Sequence, residues 1–231
     1  MNWGEDILTK VEFNDINQRE EKEKIAKQIT EKVKDGQVIG FGSGSTSYLT
    51  VIEIAKKIKE ENINIIAIPT SLEIKMLCAR LEIPTASIME MKPDWSFDGA
   101  DEVDNNNWML KGRGGAMFKE KLNIANSPIT YILIDKSKRV EKLGSKFKVP
   151  VECFPEAINY VKEELVKLGG KEIELRRAIG KDGPILTENN NVILDVKFEE
   201  ITKELEKDIK VIPGVIESGL FIDYNVEIVS E

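Results

Sequence analysis

The sequence predicts an α/β protein: an open, mainly parallel sheet with helices on both faces, plus a smaller α+β domain. Up to about residue 146, short apolar runs alternate with stretches in which apolar residues recur at helical spacing. Strands that alternate with helices on this scale are typical of a parallel sheet covered on both faces. After about residue 149 the order changes to β-α-β-β-α-β, which is typical of a ferredoxin-like module.

The first predicted domain contains four strands joined by helices. Its first helix covers residues 20–34, where Ile25 and Ile29 lie on one face. A buried strand at 37–41 runs directly into a glycine-rich loop at 42–46, and a second helix follows this loop. The other predicted elements of this domain are strands at 63–69, 95–97 and 130–134, a helix at 71–81 and a helix that carries Glu120.

The second predicted domain combines four strands with two helices. The strands cover residues 151–154, 173–179, 191–198 and 215–221, and the helices cover 155–168 and 200–209. A last short strand at 226–229 can return to the first sheet. The expected organisation is an N-terminal extension at 1–19 that docks through apolar residues, a Rossmann-like α/β domain at 20–146 and 222–231, and a ferredoxin-like domain at 147–221.

The charge and composition of the chain limit its classes of partner. The chain has 231 residues, of which 41% are hydrophobic, so it can bury a substantial core. Its net charge of -8 argues against a nucleic-acid surface and against binding to anionic membranes. No run approaches the ~20 apolar residues that span a bilayer, and the N-terminus lacks a signal-peptide pattern. We therefore expect a cytoplasmic protein with no nucleic-acid and no membrane partner.

Residue types that are absent or rare limit the chemistry. Histidine is absent, which removes imidazole acids and bases, Ser-His-Asp triads and HExxH metal sites. Cys78 and Cys153 form no CxxC pair and are too few for a disulfide framework or a cysteine zinc site. We therefore expect a reducing compartment and no metal, with acid–base work done by carboxylates and lysines.

The first candidate site is the loop 42–46 between a strand and a helix. Glycines let the backbone approach a ligand, and a helix N-terminus offers unpaired N–H groups to an anion. Gly44 lies among the hydroxyls of Ser43, Ser45 and Thr46, which add donors. The alternative is that Ser45 or Thr46 only caps the helix. The loop lacks the G-x-G-x-x-G and GK[ST] patterns, so nucleotide binding is not predicted.

The second candidate is a cluster of carboxylates where the strand at 95–97 ends. The cluster contains Asp98, Asp101, Glu102 and Asp104, whose spacing does not fit a calcium-binding loop. Carboxylates at the carboxyl edge of a parallel sheet are well placed to hold sugar hydroxyls or to relay their protons. We assign this role to Asp98 and Asp101, whereas Glu102 and Asp104 are expected to face solvent.

The third candidate runs from Lys111 to Glu120, a glycine-rich loop introduced by a cation and followed by a helix with a carboxylate. Taken alone, Glu120 is one of 41 acidic residues. Together the three candidates supply an anion site, hydroxyl binders, a cation for a developing enediolate and a general base. An aldose–ketose isomerisation requires these parts, because it removes a carbon-bound proton and places negative charge on the neighbouring oxygen. It requires neither a metal nor a nicotinamide cofactor.

Several motifs resemble those of type A ribose-5-phosphate isomerases in order and spacing. They are Gly42-Ser-Gly-Ser-Thr46, Asp98-Gly-Ala-Asp101-Glu102, Lys111-Gly-Arg-Gly-Gly-Ala with Glu120-Lys121, Ser137-Lys138, Ile212-Pro-Gly-Val215 and Gly219-Leu-Phe221. The resemblance runs from about Glu20 to the C-terminus. It departs from the family in the residues before Glu20 and at Ser43, where threonine is common.

The resemblance implies a cofactor-free enzyme that interconverts ribose 5-phosphate and ribulose 5-phosphate as a homodimer or homotetramer. It implies that Glu120 is the base and that Lys111 stabilises the enediolate. It also implies that Asp98 and Asp101 bind hydroxyls and assist ring opening. The positions implied to bind substrate are Ser43, Gly44, Ser45, Thr46, Lys138 and Lys22, with Lys24 an alternative to Lys22 at the phosphate.

Two other functions are compatible with parts of the sequence. One is a sugar-phosphate-sensing module of a regulator, since a fold does not fix a function; a sensor, however, has no need of Glu120, Lys111 and both aspartates. The other is an isomerase, deaminase or lactonase for another phosphorylated sugar. The absence of histidine disfavours those enzymes of this group that use an imidazole.

Overall fold

The computed structural model describes residues 16–231, which form two compact units. The first unit comprises 16–99, Lys119–Ser137 and Asn225–Glu231, and the second comprises Ala100–Phe118 and Lys138–Tyr224. Most of the predicted N-terminal extension, including its expected docking residues, lies outside the described residues. The sequence-based boundaries assigned 100–118, 138–146 and 222–224 to the first domain, whereas these residues belong to the second unit.

Helices and strands are numbered in chain order. The helices are α1 (Arg19–Thr30), α2 (Ser45–Glu61), α3 (Leu72–Arg80), α4 (Met117–Asn126), α5 (Ile158–Lys167) and α6 (Leu205–Lys210). The strands are β1 (Val38–Phe41), β2 (Ile66–Pro69), β3 (Trp95–Gly99), β4 (Glu102–Val103), β5 (Met109–Leu110), β6 (Thr130–Leu133), β7 (Val149–Cys153), β8 (Lys171–Leu175), β9 (Val192–Lys197), β10 (Val215–Ser218), β11 (Leu220–Phe221) and β12 (Val226–Val229). None of the described helices is long and apolar enough to cross a membrane.

The first unit is built on a five-stranded sheet with the order β12-β6-β3-β1-β2. All neighbouring strands in it are parallel, so their carboxyl ends lie at one edge. The apolar face of α1, with Ile25 and Ile29 fully buried, packs into the same core as Phe41 and Phe97, whose ring centroids are 5.0 Å apart. The predicted parallel α/β fold and the return of the last strand to this sheet are confirmed.

The second unit contains a four-stranded antiparallel sheet with the order β10-β7-β9-β8. Along the chain its elements follow as β7-α5-β8-β9-α6-β10, which is the ferredoxin-like arrangement that the sequence predicts. Alternate residues of the central strands, such as Val151 and Leu194, pack with the helices in a separate hydrophobic core. Each unit therefore has a core of its own.

A three-stranded sheet with the order β11-β5-β4 completes the second unit, and the sequence analysis did not predict it. The predicted strand at 215–221 is split, because its first half pairs with β7 and its second half pairs with β5. Gly219 joins the halves: its N–H donates to the oxygen of Pro150 (2.7 Å) and its oxygen accepts from the N–H of Lys111 (2.8 Å).

Candidate active site

The loop 42–46 leaves the carboxyl end of β1 and is held against the end of β3. The Gly42 N–H donates to the oxygen of Phe97 at 2.8 Å. A Cβ at Gly42 would lie 2.4 Å from the carboxylate carbon of Asp98, closer than non-bonded atoms approach. Glycine is required at this position because Asp98 occupies the space of a side chain.

The loop delivers the N-terminus of the 17-residue helix α2 to this edge of the sheet. The N-cap residue is Gly44, which has a φ of 90° and no side chain to cap the helix. The alternative that Ser45 or Thr46 occupies the capping position is therefore wrong. The first N–H groups of α2 and the positive end of its dipole form a suitable site for an anion.

A buried lysine lies beside this helix terminus. Lys22 on α1 is only 7% exposed, and its Nζ donates to the Oγ of Ser45 at 3.0 Å. Lys24 is exposed and forms an ion pair with Glu231 at 3.1 Å. Of the two lysines considered in the sequence analysis, Lys22 is the one that contacts the loop.

Thr70 is a neighbour of the loop that the sequence analysis missed. It follows β2 at the carboxyl edge, is almost fully buried, and its hydroxyl lies 2.7 Å from the Oγ of Ser43. The same hydroxyl donates to the oxygen of Phe41 at 3.1 Å. Thr70 therefore fixes the rotamer of Ser43. A hydroxyl directly after a predicted strand was the sequence signal that could have revealed it.

Asp98 is buried at the end of β3 and faces the same loop. Its Oδ1 accepts hydrogen bonds from the N–H of Ser43 (3.1 Å) and from the N–H of Gly99 (2.7 Å). Two backbone donors on one carboxylate oxygen fix the orientation of the group.

Glu120 is buried on α4. Asn123, one turn later on the same helix face, donates from Nδ2 to the oxygen of Ile68 (2.9 Å) and lies beside Gly40. α4 leads into the parallel strand β6, so its end lies at the amino edge of the sheet and its first turns lie at the carboxyl edge.

The level of Glu120 relative to the sheet follows from helix and strand geometry. Glu120 lies roughly 4.5 Å nearer the carboxyl edge than Asn123, since each helical residue rises by about 1.5 Å. Gly42 lies roughly 6.6 Å beyond Gly40 along β1. Glu120 and the loop 42–46 therefore lie at about the same level, at the edge where Asp98 ends β3.

Lys111 and Asp101 belong to the second unit and lie in one hydrogen-bonded loop there. Asp101 is half-buried; its N–H donates to the oxygen of Leu110 (2.8 Å), and its Oδ2 accepts from the N–H of Arg113 (3.2 Å). Lys111 is buried, and its Nζ lies 5.6 Å from the ring centroid of Phe221. The structure therefore brings the aspartate and the glycine-rich loop together.

Lys138 is half-buried at the end of a 3-10 helix, Lys136–Lys138, directly after β6. Asp135 shapes this turn, because its Oδ1 accepts from the N–H of Ser137 at 2.9 Å and from the hydroxyl of the same residue. No three His, Cys, Asp or Glu side chains of residues 16–231 are grouped as in a metal site.

Glu102 and Asp104 do not face solvent, so this prediction was wrong. Glu102 is fully buried and its carboxylate accepts from three backbone N–H groups, those of Gly144 (2.6 Å), Lys146 (2.7 Å) and Phe147 (2.8 Å). Asp104 is buried and accepts from two N–H groups of the turn that follows it, at 2.8 and 2.9 Å. Both carboxylates therefore accept hydrogen bonds from loop N–H groups, as backbone carbonyl oxygens do in regular helices and strands.

Known proteins of one family are similar to this chain in sequence and in fold. A sequence model of the family described as ribose 5-phosphate isomerase A (phosphoriboisomerase A) matches residues 66–231. The ribose-5-phosphate isomerase A of Methanocaldococcus jannaschii is 44% identical over 201 residues, which cover 86% of this chain and 88% of the relative. The protein of the same name from Synechococcus sp. is 43% identical over 205 residues, with 87% and 88% covered. The chain belongs to the ribose 5-phosphate isomerase A family.

Solved structures of ribose 5-phosphate isomerases have the same fold. That of the Methanocaldococcus jannaschii enzyme superposes with a TM-score of 0.88 at 41% identity, covering 92% of this chain and 95% of the other. That of Neisseria gonorrhoeae ribose 5-phosphate isomerase A gives 0.82 at 34% identity, covering 93% and 94%. A D-ribose-5-phosphate isomerase in complex with phospho-erythronic acid gives 0.87 at 38% identity, covering 92% and 95%. The resemblance noted from the sequence motifs is thereby confirmed.

Proposed function

We propose that this chain interconverts D-ribose 5-phosphate and D-ribulose 5-phosphate by carboxylate-mediated proton transfer through an enediolate. Membership of the ribose 5-phosphate isomerase A family supports the reaction. The mechanism is supported by the burial of Glu120 and by its estimated level, near the sheet edge where loop 42–46 and Asp98 lie. A general base beside an anion site and a hydroxyl-binding carboxylate suits this reaction.

The phosphate of the substrate is proposed to bind at the start of α2. Lys22 supplies a positive charge for the phosphate. Hydrogen-bond donors for the phosphate oxygens come from the first N–H groups of the helix and from the hydroxyls of Ser45 and Thr46. Ser43 and Gly44 supply the remaining part of this binding loop. A related D-ribose-5-phosphate isomerase is solved in complex with a phosphorylated sugar acid, phospho-erythronic acid, which supports a phosphate site in this chain without locating it.

The sugar hydroxyls are proposed to bind to Asp98 and Asp101. Carboxylates accept hydrogen bonds from hydroxyls, and they can move the hydroxyl proton that is exchanged when the furanose ring opens. Ring opening is needed because only the open chain has a carbonyl at C1, which acidifies the proton on C2.

The proton transfer itself is proposed for Glu120. Its carboxylate removes the proton from C2 and the electron pair moves to the carbonyl oxygen, giving an enediolate. The ammonium of Lys111 stabilises the negative charge on that oxygen. The hydrogen on the C2 oxygen then moves to the C1 oxygen and Glu120 returns its proton to C1, so that the ketose has a hydroxyl at C1 and a carbonyl at C2. We propose that Lys138 contributes a second positive charge to substrate binding.

Three further properties belong to the proposal. A homodimer or homotetramer, a cytoplasmic location and independence from metals are expected from the family resemblance and the composition. Sedimentation velocity measures the oligomeric state. Activity after dialysis against a chelator measures the independence from metals.

The experiment that tests the function is a substrate panel in the presence of a chelator. Ribose 5-phosphate should be converted to ribulose 5-phosphate at least about 100 times more efficiently, in kcat/KM, than arabinose 5-phosphate, glucose 6-phosphate or glucosamine 6-phosphate. Conversion of a hexose phosphate or release of ammonia at a higher efficiency would favour another phosphorylated sugar. Binding of ribose 5-phosphate without turnover would favour the sensing module.

A further inference from the structure

One guanidinium in the second unit connects two strands to the loop that carries Lys111. Arg176 follows β8 directly, and its N–H donates to the oxygen of Ile193 on β9 at 2.9 Å. Its side chain is only 16% exposed. A largely buried arginine side chain requires hydrogen-bond partners within the protein, because few of its donors can reach water.

Asp195 orients this guanidinium from one side. The Nε of Arg176 donates to Oδ2 of Asp195 at 2.8 Å, and Nη2 donates to Oδ1 of the same carboxylate. Such a two-point contact fixes the plane of the guanidinium, which a single ammonium contact cannot do.

The third guanidinium nitrogen, Nη1, contacts the glycine-rich loop 111–115, the Lys111 loop. The Nη1 of Arg176 donates to the oxygens of Gly112 and Arg113, both at 2.9 Å. These are the carbonyl groups of the two residues that directly follow Lys111. On the other side of Lys111, its own N–H is bound to the oxygen of Gly219 at 2.8 Å.

The loop requires such restraint. Gly112 and Gly115 have positive φ angles, at 97° and 80°, and Gly114 lies between them. A glycine-rich segment has many accessible backbone conformations, so holding one of them requires contacts from outside the segment. Arg176 supplies two of these contacts at the residues next to Lys111.

We propose that Arg176, oriented by Asp195, is a positioning residue that holds the Lys111 loop in its catalytic conformation. The inference rests on the proposed function, in which Lys111 stabilises the enediolate. Arg176 acts through Lys111 and does not touch the reacting carbons. Its loss should therefore affect the stabilisation of developing charge more than the binding of the sugar phosphate.

The first test compares Arg176→Lys with Arg177→Lys, its exposed neighbour in sequence. Arg176→Lys keeps the charge but removes the forked contact. We expect kcat to fall about 10- to 100-fold, since small misplacements of catalytic groups cost this much, while KM changes less than about 2-fold. Arg177→Lys should leave both constants within about 2-fold. Asp195→Asn should shift kcat in the same direction as Arg176→Lys.

Inhibition by phospho-erythronic acid provides a second readout. Its carboxylate places negative charge at the end of the carbon chain, as the enediolate does. Arg176→Lys should raise its inhibition constant by more than it raises KM. Equal changes in both constants, or an unchanged kcat, would overturn the proposal.

A variant of Lys111 separates positioning from general support of the fold. In a Lys111→Met background, Arg176→Lys should lower the residual kcat by less than about 2-fold, because the group it positions is gone. A reduction as large as in the wild-type background would overturn the positioning role. If Arg176→Lys does not fold, as measured by thermal unfolding, Asp195→Asn takes its place in both backgrounds. Unchanged activity of Lys111→Met alone would instead contradict the proposed role of Lys111.

Discussion

At the scale of single residues, the candidate site residues of each unit include charged side chains that are withdrawn from solvent. Lys22, Asp98, Lys111 and Glu120 are all less than a tenth exposed. Burial of a charge is costly unless it is paired or hydrogen-bonded, so such residues are typical of functional sites. Exposed acids and bases of the same chain, such as Lys24, have no comparable setting.

The two lysines on α1 give a matched pair of variants. Lys22→Ala should raise the KM for ribose 5-phosphate about 10-fold or more, because a charge-assisted hydrogen bond to phosphate contributes roughly 1.5–3 kcal/mol. Lys24→Ala should leave KM within about 2-fold. Steady-state kinetics at constant ionic strength make the comparison. Equal effects of the two variants would show that Lys22 does not bind the phosphate.

Sequence reasoning identifies residues of this kind only in part. Asp98 was proposed because it ends a predicted strand, and Glu120 because it follows a glycine-rich loop introduced by Lys111. Only the family resemblance separated Glu120 from the other acidic residues, of which the chain has 41 in all. The buried state of Glu102 could not be predicted, because its three donors lie more than forty residues further along the chain. The contact of Thr70 with Ser43 likewise depends on two strands meeting at one edge.

At the scale of elements, the loops between strands and helices carry most of the specific contacts. Loop 42–46 joins β1 to α2 with Gly42 pressed against Asp98, and the Lys111 loop is held by Gly219 and by Arg176. The buried carboxylate of Glu102 accepts hydrogen bonds from three backbone N–H groups of the segment 144–147. Rigid strands position these loops, and single polar side chains fix their conformation.

Replacement of Glu102 tests how much one such side chain contributes. Glu102→Gln leaves at least one buried N–H facing an amide NH2 group, so we expect the free energy of unfolding to fall by roughly 3 kcal/mol. The melting temperature should fall by roughly 6–12 °C for a chain of this size. Glu141→Gln, an exposed glutamate near the same segment, is the control and should change Tm by less than about 1 °C.

An unchanged melting temperature of Glu102→Gln would contradict this prediction. A Glu102→Gln variant with wild-type Tm would show that the three N–H groups find other acceptors, and that the carboxylate does not fix this segment. Calorimetry or thermal melting followed by circular dichroism measures the difference.

Elements differ in how far the sequence predicts them. Most strands of the parallel sheet are short and mainly apolar, and α1 and α2 show helical spacing, so they were predicted. The two-residue strands β4, β5 and β11 were not, because they carry no periodicity of their own and exist only through long-range pairs such as Leu110 with Leu220. The predicted strand at 215–221 is divided because its two halves pair with different distant strands, β7 and β5.

At the scale of the whole molecule, the two units have separate hydrophobic cores with one cysteine in each. Cys78 is buried in the core of the first unit and Cys153 in that of the second, and neither forms a disulfide. Thiol labelling therefore reports on each unit separately.

Labelling in increasing urea should reveal two steps. Neither thiol should react in the native state, because both are fully buried, and we expect Cys78 and Cys153 to become reactive at different urea concentrations. Mass spectrometry of alkylated peptides assigns each step. Coincident midpoints would show that the two units unfold as one.

The same thiols predict a dependence of stability on pH. Burial raises the pKa of Cys78 to about 12 and that of Cys153 to about 11. Unfolded thiols ionise near pH 8.5, so the free energy of unfolding is unaffected below that pH and falls above it until the raised pKa values are reached. Between pH 8 and pH 10, the free energy of unfolding should fall less for Cys78→Ala than for the wild type. An equal fall in both proteins, measured by urea denaturation, would contradict this account.

The central claim concerns the proton transfer by Glu120, and one variant tests it most directly. Glu120→Gln keeps the size of the side chain but cannot accept the C2 proton, whereas Glu73→Gln, an exposed glutamate on α3, removes the same charge elsewhere. Ribulose 5-phosphate formation should fall at least about 100-fold in the first variant and remain at the wild-type rate in the second. A Glu120→Gln enzyme that folds and turns over ribose 5-phosphate at a near-normal rate would contradict the claim.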